Sequence, residues 1–218
     1  MRQVLTLLCV VLCVGGCASE LPSPLNASAI KSLQLTDVVV TVPPDAEVSW
    51  GNAEHEYQVA YKSSGAKPIK PVVETGTLND PASSDAAEAS ALAASPEGKA
   101  FVRDKVASRV KTSLETKVKP ALQSGAKPVR LEVTVHSFII PSALQRVTLG
   151  GVPILSASAV LKDAATREVI ASQPGKLSAA MAGNGWAGVL VDQAFSDLDV
   201  RVADSYAEQY RAWLLNET

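Results

Sequence analysis

Residues 129–140 read VRLEVTVHSFII, and their alternation decides the fold class. Val129, Leu131, Val133 and Val135 fall on one side of an extended chain, and Arg130, Glu132, Thr134 and His136 fall on the other. Period two over this length predicts a strand with one buried and one polar face. Such a strand needs apolar partners, and both flanks supply them. Upstream, Val102, Val106, Val110, Leu114 and Val118 recur every four residues, which is one face of a helix running to about Leu122. Ser95-Pro96-Glu97 opens that helix, with Ser95 as N-cap and Pro96 in the first helical position. Gly125 and Pro128 punctuate its end. Downstream, Ile154–Lys162 and Arg167–Ser172 flank Asp163-Ala164-Ala165-Thr166, a hairpin turn. A long terminal helix is predicted over Trp186–Leu215. Its stripe is Val191, Phe195, Leu198, Val202, Tyr206, Gln209 and Trp213, with only Gln209 polar.

Further out the signals thin. Ser32–Val42 (SLQLTDVVVTV) is rich in β-branched residues. Leu33 and Leu35, then Val38, Val40 and Val42, favour one face of a strand, with a phase slip near Asp37. Pro43-Pro44 stops it. Glu56–Lys62 is compatible with a second strand or the end of a helix. Residues 63–98 pass from a turn-rich basic patch into a small, acidic, Ala/Ser-rich stretch, and predict a low-complexity insertion or partner-binding loop. Residues 18–31 are small, polar and Pro-bearing and read as a flexible tether. The order strand, insertion, helix, strand, strand, strand, helix predicts one α+β domain over residues 32–215. An antiparallel sheet of about four strands with two long helices on one face would bury both apolar stripes.

The first residues differ in kind. Arg2 is the only charge before Glu20, and Val4–Val14 is apolar except for Thr6. A positive start and an h-region of this length predict a signal peptide over residues 1–16, too short to span a bilayer at about 20 apolar residues. Val14-Gly15-Gly16-Cys17 resembles the lipobox of bacterial prolipoproteins. The resemblance implies cleavage between Gly16 and Cys17, a diacylglyceryl thioether on the Cys17 sulfur and an acyl chain on its freed amine. Three acyl chains hold a protein on its membrane, whereas one gives only marginal binding. Residue 18 is Ala rather than the Asp associated with inner-membrane retention in enteric bacteria, so the outer membrane, on its periplasmic side, is the expected location.

About 200 residues remain after the leader, enough for one domain. The chain has a formal net charge of −2, and neither sign dominates, so no nucleic-acid partner is implied. Cys9 and Cys13 leave with the leader, so Cys17 is the only mature thiol and no internal disulfide can form. Aromatic residues make up only 5%, so the core must rest on Val, Leu, Ile and Ala.

Several stretches carry a wider resemblance. They are Val38–Pro43 with Val48-Ser49-Trp50, Leu131–Phe138, Gly150-Gly151 leading into a strand, Lys162-Asp163 with Thr166–Ile170, and the terminal Tyr210–Leu214. Over most of residues 32–215 the chain is similar to an uncharacterised alphaproteobacterial family of periplasmic lipoproteins of unknown function. Its layout resembles small envelope-assembly and auxiliary lipoproteins. Related sequences usually carry Gly after the turn threonine, where this one has Arg167. No catalytic residue comes with the resemblance.

Other motifs read more plainly. Gly183-Asn184-Gly185-Trp186-Ala187-Gly188 matches G-x-G-x-x-G, but only one helix follows, where a dinucleotide site needs a βαβ unit and a later acid. A turn before a helix is the expected meaning, with anion binding at that helix start the weaker one. Glu54-His55-Glu56 and the distant His136 offer no set of three or four zinc ligands. Lys105, Lys111 and Lys119 suit a solvated helix face or anionic headgroups. Trp213 falls on the core stripe, while Trp50 and Trp186 cover the ends of the sandwich or mark an interaction surface. No nucleophile-and-base pattern is present, so the expectation is no enzyme, no cofactor beyond the covalent lipid and no metal. The chain reads as a membrane-anchored periplasmic lipoprotein, a non-enzymatic module that binds an envelope protein partner or helps assemble an envelope complex. The alternative is a carrier of lipid or another small hydrophobic ligand in a cavity between sheet and helices.

Overall fold

The computed structural model describes residues 23, 25–65, 90–141, 151–179 and 197–217. In chain order the elements are α1 (Ala27–Ser32), β1 (Leu33–Thr41), β2 (Glu47–Trp50), α2 (Gly51–Ser63), α3 (Pro96–Lys117), a 3-10 turn (Lys119–Leu122), β3 (Lys127–Ile140), β4 (Ile154–Asp163), β5 (Val169–Ala179) and α4 (Leu198–Leu215). Residues 90–94 add a helical turn ahead of α3. The class is the expected α+β.

The alternating stretch is the hub of the sheet. β3 pairs with β4 on one side, and β4 pairs with β5, both antiparallel. On its other side β3 pairs with β1 over Lys127–Thr134 and with β2 over Ser137–Ile140. Both of those pairings are parallel, so the five-stranded sheet is mixed rather than antiparallel throughout. The reason lies in the connection. A hairpin reverses the chain, whereas a helical crossover returns it to the same end of the sheet and delivers a parallel neighbour. α3 lies between β1 and β3 in the chain and makes that crossover.

The phase slip at Asp37 is a β-bulge. Leu35 pairs with Val129 and Asp37 with Arg130, leaving Thr36 as the extra residue. Its hydroxyl donates to the Val129 carbonyl at 3.0 Å. The extra residue lets Leu33, Leu35 and Val38 all point inward. A second bulge at His136 does the same for Val135 and Phe138.

Helices cover one face of the sheet. α3 buries Val102, Val106, Val110 and Leu114 along the predicted stripe, and α4 buries Val202, Tyr206, Tyr210, Trp213 and Leu214. Both meet Val129, Leu131, Val133, Val135, Leu155 and Leu161 in one core. Each buried Val or Leu contributes roughly 1.5–3 kcal/mol relative to exposure. Ser95 caps α3 as expected, its hydroxyl accepting from Gly98 N–H at 3.0 Å. Arg109 pairs with Asp199 at 2.7 Å, and Lys117 with Asp204 at 3.6 Å and Glu208 at 2.8 Å. The pairs advance in the same direction along both helices, so α3 and α4 run parallel.

Several boundaries shift. Residues expected as the end of the tether form α1, capped by the Asn26 side chain accepting from Ala29 N–H at 2.8 Å, with Ile30 in the core. Glu56–Lys62 lies inside α2, and Trp50 ends β2 rather than sitting in a loop. The expected insertion at 63–98 is helical at 90–94 and again from Pro96. Its middle, residues 66–89, lies outside the described residues. So do the leader with Cys17, the Gly183–Gly188 motif, Trp186, Val191 and Phe195. On α4 the buried stripe takes Tyr210 in place of Gln209. Gly125 allows the chain to enter β3, because a Cβ there would strike the Ser32 and Leu33 backbone.

Candidate functional site

Among the described residues, two surfaces stand open beside the packed core. The first is the sheet face away from the helices, which no described element covers. Register places its residues in rows across the strands. Asp37, Arg130 and Lys162 form one row, Val39, Glu132, Val160 and Ser172 the next, and Thr41, Thr134 and Ser158 a third. Further along stand Glu47, Ser137, Ser156 and Leu177, then Ser49, Ile139 and Ile154. The face grades from charged, through hydroxyl-rich, to apolar.

The charged end is tied together. Lys162 Nζ donates to Glu132 Oε2 at 2.6 Å, while Arg130 and Arg167 approach Glu132 Oε1 at 3.3 and 3.5 Å. Arg130 also reaches Asp37 at 3.4 Å. The hydrogen bond from Lys162, with the charges of Lys162, Arg130 and Arg167, holds the Glu132 carboxyl below its ordinary range against a partial desolvation cost. Beside it, Asp163 accepts from the N–H groups of Ala165 at 2.9 Å and Thr166 at 3.0 Å, which lower its pKa likewise. The turn then passes through Arg167 at φ +64°, the left-handed region where glycine fits without strain.

The second surface is a trough between α3 and the chain from Val40, at the end of β1, to Val48 in β2. A hollow of about 680 Å³ is walled by Pro44, Ala46 and Val48 on one side and Ala93, Lys99, Val102 and Arg103 on the other, with Glu54 and Gln58 from α2. A smaller hollow of about 280 Å³ lies between Val40, Thr41 and Val42 and the α3 residues Ala100, Arg103, Asp104 and Ala107. Arg103 lines both. α2 forms the far end through an aromatic stripe, with Tyr57 5.4 Å from Phe101 and 6.1 Å from Tyr61 between ring centroids.

The singled-out residues do not gather into a reactive centre. His55 is exposed on α2, where Glu54, His55 and Glu56 fan around the helix instead of converging. His136 is exposed at its bulge, Nε2 lying 3.0 Å from the Ser158 hydroxyl. Among the described residues no group of three His, Cys, Asp or Glu could hold a metal. Lys105 pairs with Glu56 at 2.5 Å and lies 5.5 Å from the Phe101 ring centroid, and Lys111 sits 3.9 Å from Glu115. Trp50 is a packing residue, buried with its ring centroid 5.4 Å from that of Phe138. Trp213 is also core. The interface between sheet and helices is filled, with Val106, Val110, Leu114, Leu131, Leu155 and Tyr206 at essentially zero exposure. Burial with no hydrogen-bond partner pushes the Tyr206 and Tyr210 phenols well up from their ordinary range. Sequence reasoning read the polar face of β3, with Arg130, Glu132 and Thr134 on it, but missed the trough. The signals available were Val38–Val42 as an uninterrupted β-branched edge and Tyr57–Tyr61–Phe101 as an aromatic seam.

No family model matches the chain, and no curated protein matches it. Among solved structures it is similar to a "putative lipoprotein" from Caulobacter crescentus CB15, at TM-score 0.31 and 11% identity over 51% of this chain and 82% of that one. It is also similar to a DUF330 protein from Xanthomonas campestris, at TM-score 0.35 and 13% identity over 84% of both chains. A third is the PelC dodecamer from Paraburkholderia phytofirmans, at TM-score 0.29 and 11% identity over 80% and 87%. Likeness of this degree carries no function across. Among the described residues no helix is long and apolar enough to cross a membrane.

Proposed function

We propose that this chain is a lipid-anchored accessory protein of the bacterial envelope. It acts without catalysis, by binding a protein partner on the periplasmic side of the outer membrane. The anchor reading rests on Val14-Gly15-Gly16-Cys17 behind an apolar leader. The observation that carries partner binding is the one-sided sheet, because helices pack on one face while no described element covers the other. A face that grades from charged to apolar, with its charges already held in place, suits a protein surface better than a small molecule. The carrier alternative requires a cavity between sheet and helices, and the side chains that fill that interface argue against it.

Two measurements test the reading. Cys17→Ser abolishes incorporation of labelled fatty acid and leaves the protein at precursor size, its leader uncleaved by the lipoprotein peptidase. Unchanged labelling and processing refute the anchor. A photo-crosslinking amino acid at Ser172 on the open face gives a discrete protein adduct in cells, whereas one at Glu208 on the helix side gives none. Equal patterns from the two positions refute partner binding through this face.

A further inference from the structure

The two edges of the sheet are treated differently. β5 is blunted, since Pro174 and Gly175 interrupt its pairing between Gln173 and Lys176. Proline, bulges and edge charges are how proteins stop a strand from recruiting another chain. β1 has a bulge at Thr36 and the charge of Asp37 near its start, but no such device from Val38 onward. Val38-Val39-Val40-Thr41-Val42 continues without Pro, Gly or Lys until Pro43, and among the described residues it pairs only with β3.

Next to this unguarded edge lies the trough. Beside the end of β1 its α3 wall carries Ala100 and Ala107 with Arg103 and Asp104 between them, beside the Val48 end it carries Lys99 and Val102, and Arg103 joins the two hollows. Lys99 and Arg103 stand one helical turn apart. Among the described residues neither has an ion-pair partner, although Lys105, Arg109, Lys111 and Lys117 on the same helix are all paired. Glu54 and Asp104 also line the trough, and neither forms an ion pair there among the described residues.

We infer that the β1 edge and its trough take an extended segment of a partner protein as an added strand, with acidic side chains of that segment on Lys99 and Arg103. The inference rests on the partner-binding reading above and names the surface and the chemistry of the partner. An added strand lies about 4.8 Å from its neighbour and sends every second side chain to the same face. Residues two apart on a strand are about 6.7 Å apart. Residues four apart on a helix rise about 6 Å. Alternate acids on a strand running along α3 therefore match the spacing of Lys99 and Arg103, while small apolar residues sit over Ala100 and Ala107. A second copy of this chain is the poorer occupant, because pairing β1 with β1 brings a second Lys99 and Arg103 to the same cations.

The test uses the full lipidated chain in detergent micelles and two short synthetic peptides, one alternating valine with glutamate and the other alternating valine with lysine. Fluorescence anisotropy reads binding, and amide hydrogen exchange reads its location. The glutamate peptide binds, slows exchange over Val38–Val42 and leaves β5 unchanged. Lys99→Glu with Arg103→Glu weakens that peptide about tenfold, the equivalent of about 1.4 kcal/mol, and the lysine peptide becomes the preferred ligand. Both positions lie on the helix flank, so circular dichroism stays as in the parent chain. The inference is overturned by failure of the glutamate peptide to bind, by protection at β5 instead of β1, or by equal binding to parent and reversed chains. Should it fail while Ser172 still yields its adduct, the edge is wrong and partner binding stands. Loss of both removes both.

Discussion

Leu131 and Glu132 are neighbours on β3 and end in opposite surroundings. Leu131 has no exposed surface and packs beneath the helices, whereas Glu132 faces outward with Lys162, Arg130 and Arg167 around it. The packed face is aliphatic and interchangeable in kind, and what matters there is volume. The open face holds its charges in fixed mutual positions, and what matters there is arrangement. One strand thus supplies the packed core with one set of side chains and an open, charge-bearing face with the other. A change on the first set should be felt in folding, and a change on the second mainly in binding.

The largest expected effect separates the two faces directly. Leu131→Ala should cost about 3 kcal/mol in urea unfolding, the usual scale for emptying a packed leucine site. Glu132→Ala should cost less than about 1 kcal/mol, since partly exposed ion pairs contribute little. Comparable costs at the two positions would erase the division between faces. A smaller effect of opposite sign is expected at Arg167. Glycine there relieves the left-handed backbone and should raise stability by about 0.5–1 kcal/mol, seen as a higher thermal midpoint. A fall would mean that the contact with Glu132 outweighs the backbone strain.

The smallest effect is in pH. Glu132 has its folded pKa below the unfolded reference of 4.5. The unfolded chain therefore binds more protons in this range, and stability falls as pH drops from above 4.5 through the folded value. Glu132→Gln should flatten the acid limb of the stability profile by a few tenths of a kcal/mol and leave neutral pH almost unchanged. An unaltered acid limb would show that the cluster is too well solvated to matter.

Much of this division was legible beforehand, because period two along Val129–Val135 and period four along Val102–Val118 report directly which side is buried. The Ser95 cap and the Asp163–Thr166 turn are local chemistry and were equally readable. Strand direction was not, because periodicity carries no sense of parallel or antiparallel. That follows from α3 crossing over between β1 and β3. α2 was hard to read because Ala53 is its only buried residue and its contacts run through Tyr57 and Tyr61, polar-tipped rings that do not stand out as a core stripe. The trough was invisible for a different reason, since it joins the β1 edge to α3 residues about sixty positions away in the chain.

One contact near the ends of the domain bears on where those two ends lie. Asn216, in the left-handed position after α4, donates from its side chain to the Leu25 carbonyl at 2.9 Å. The last helix is thereby stitched to the chain just ahead of α1. Leu25 is eight residues beyond Cys17, a reach of at most ~28 Å when fully extended. The stitch holds the chain that leads back toward Cys17 beside the end of α4. A tag placed after α4 would therefore lie on the same side of the domain as the chain that enters α1.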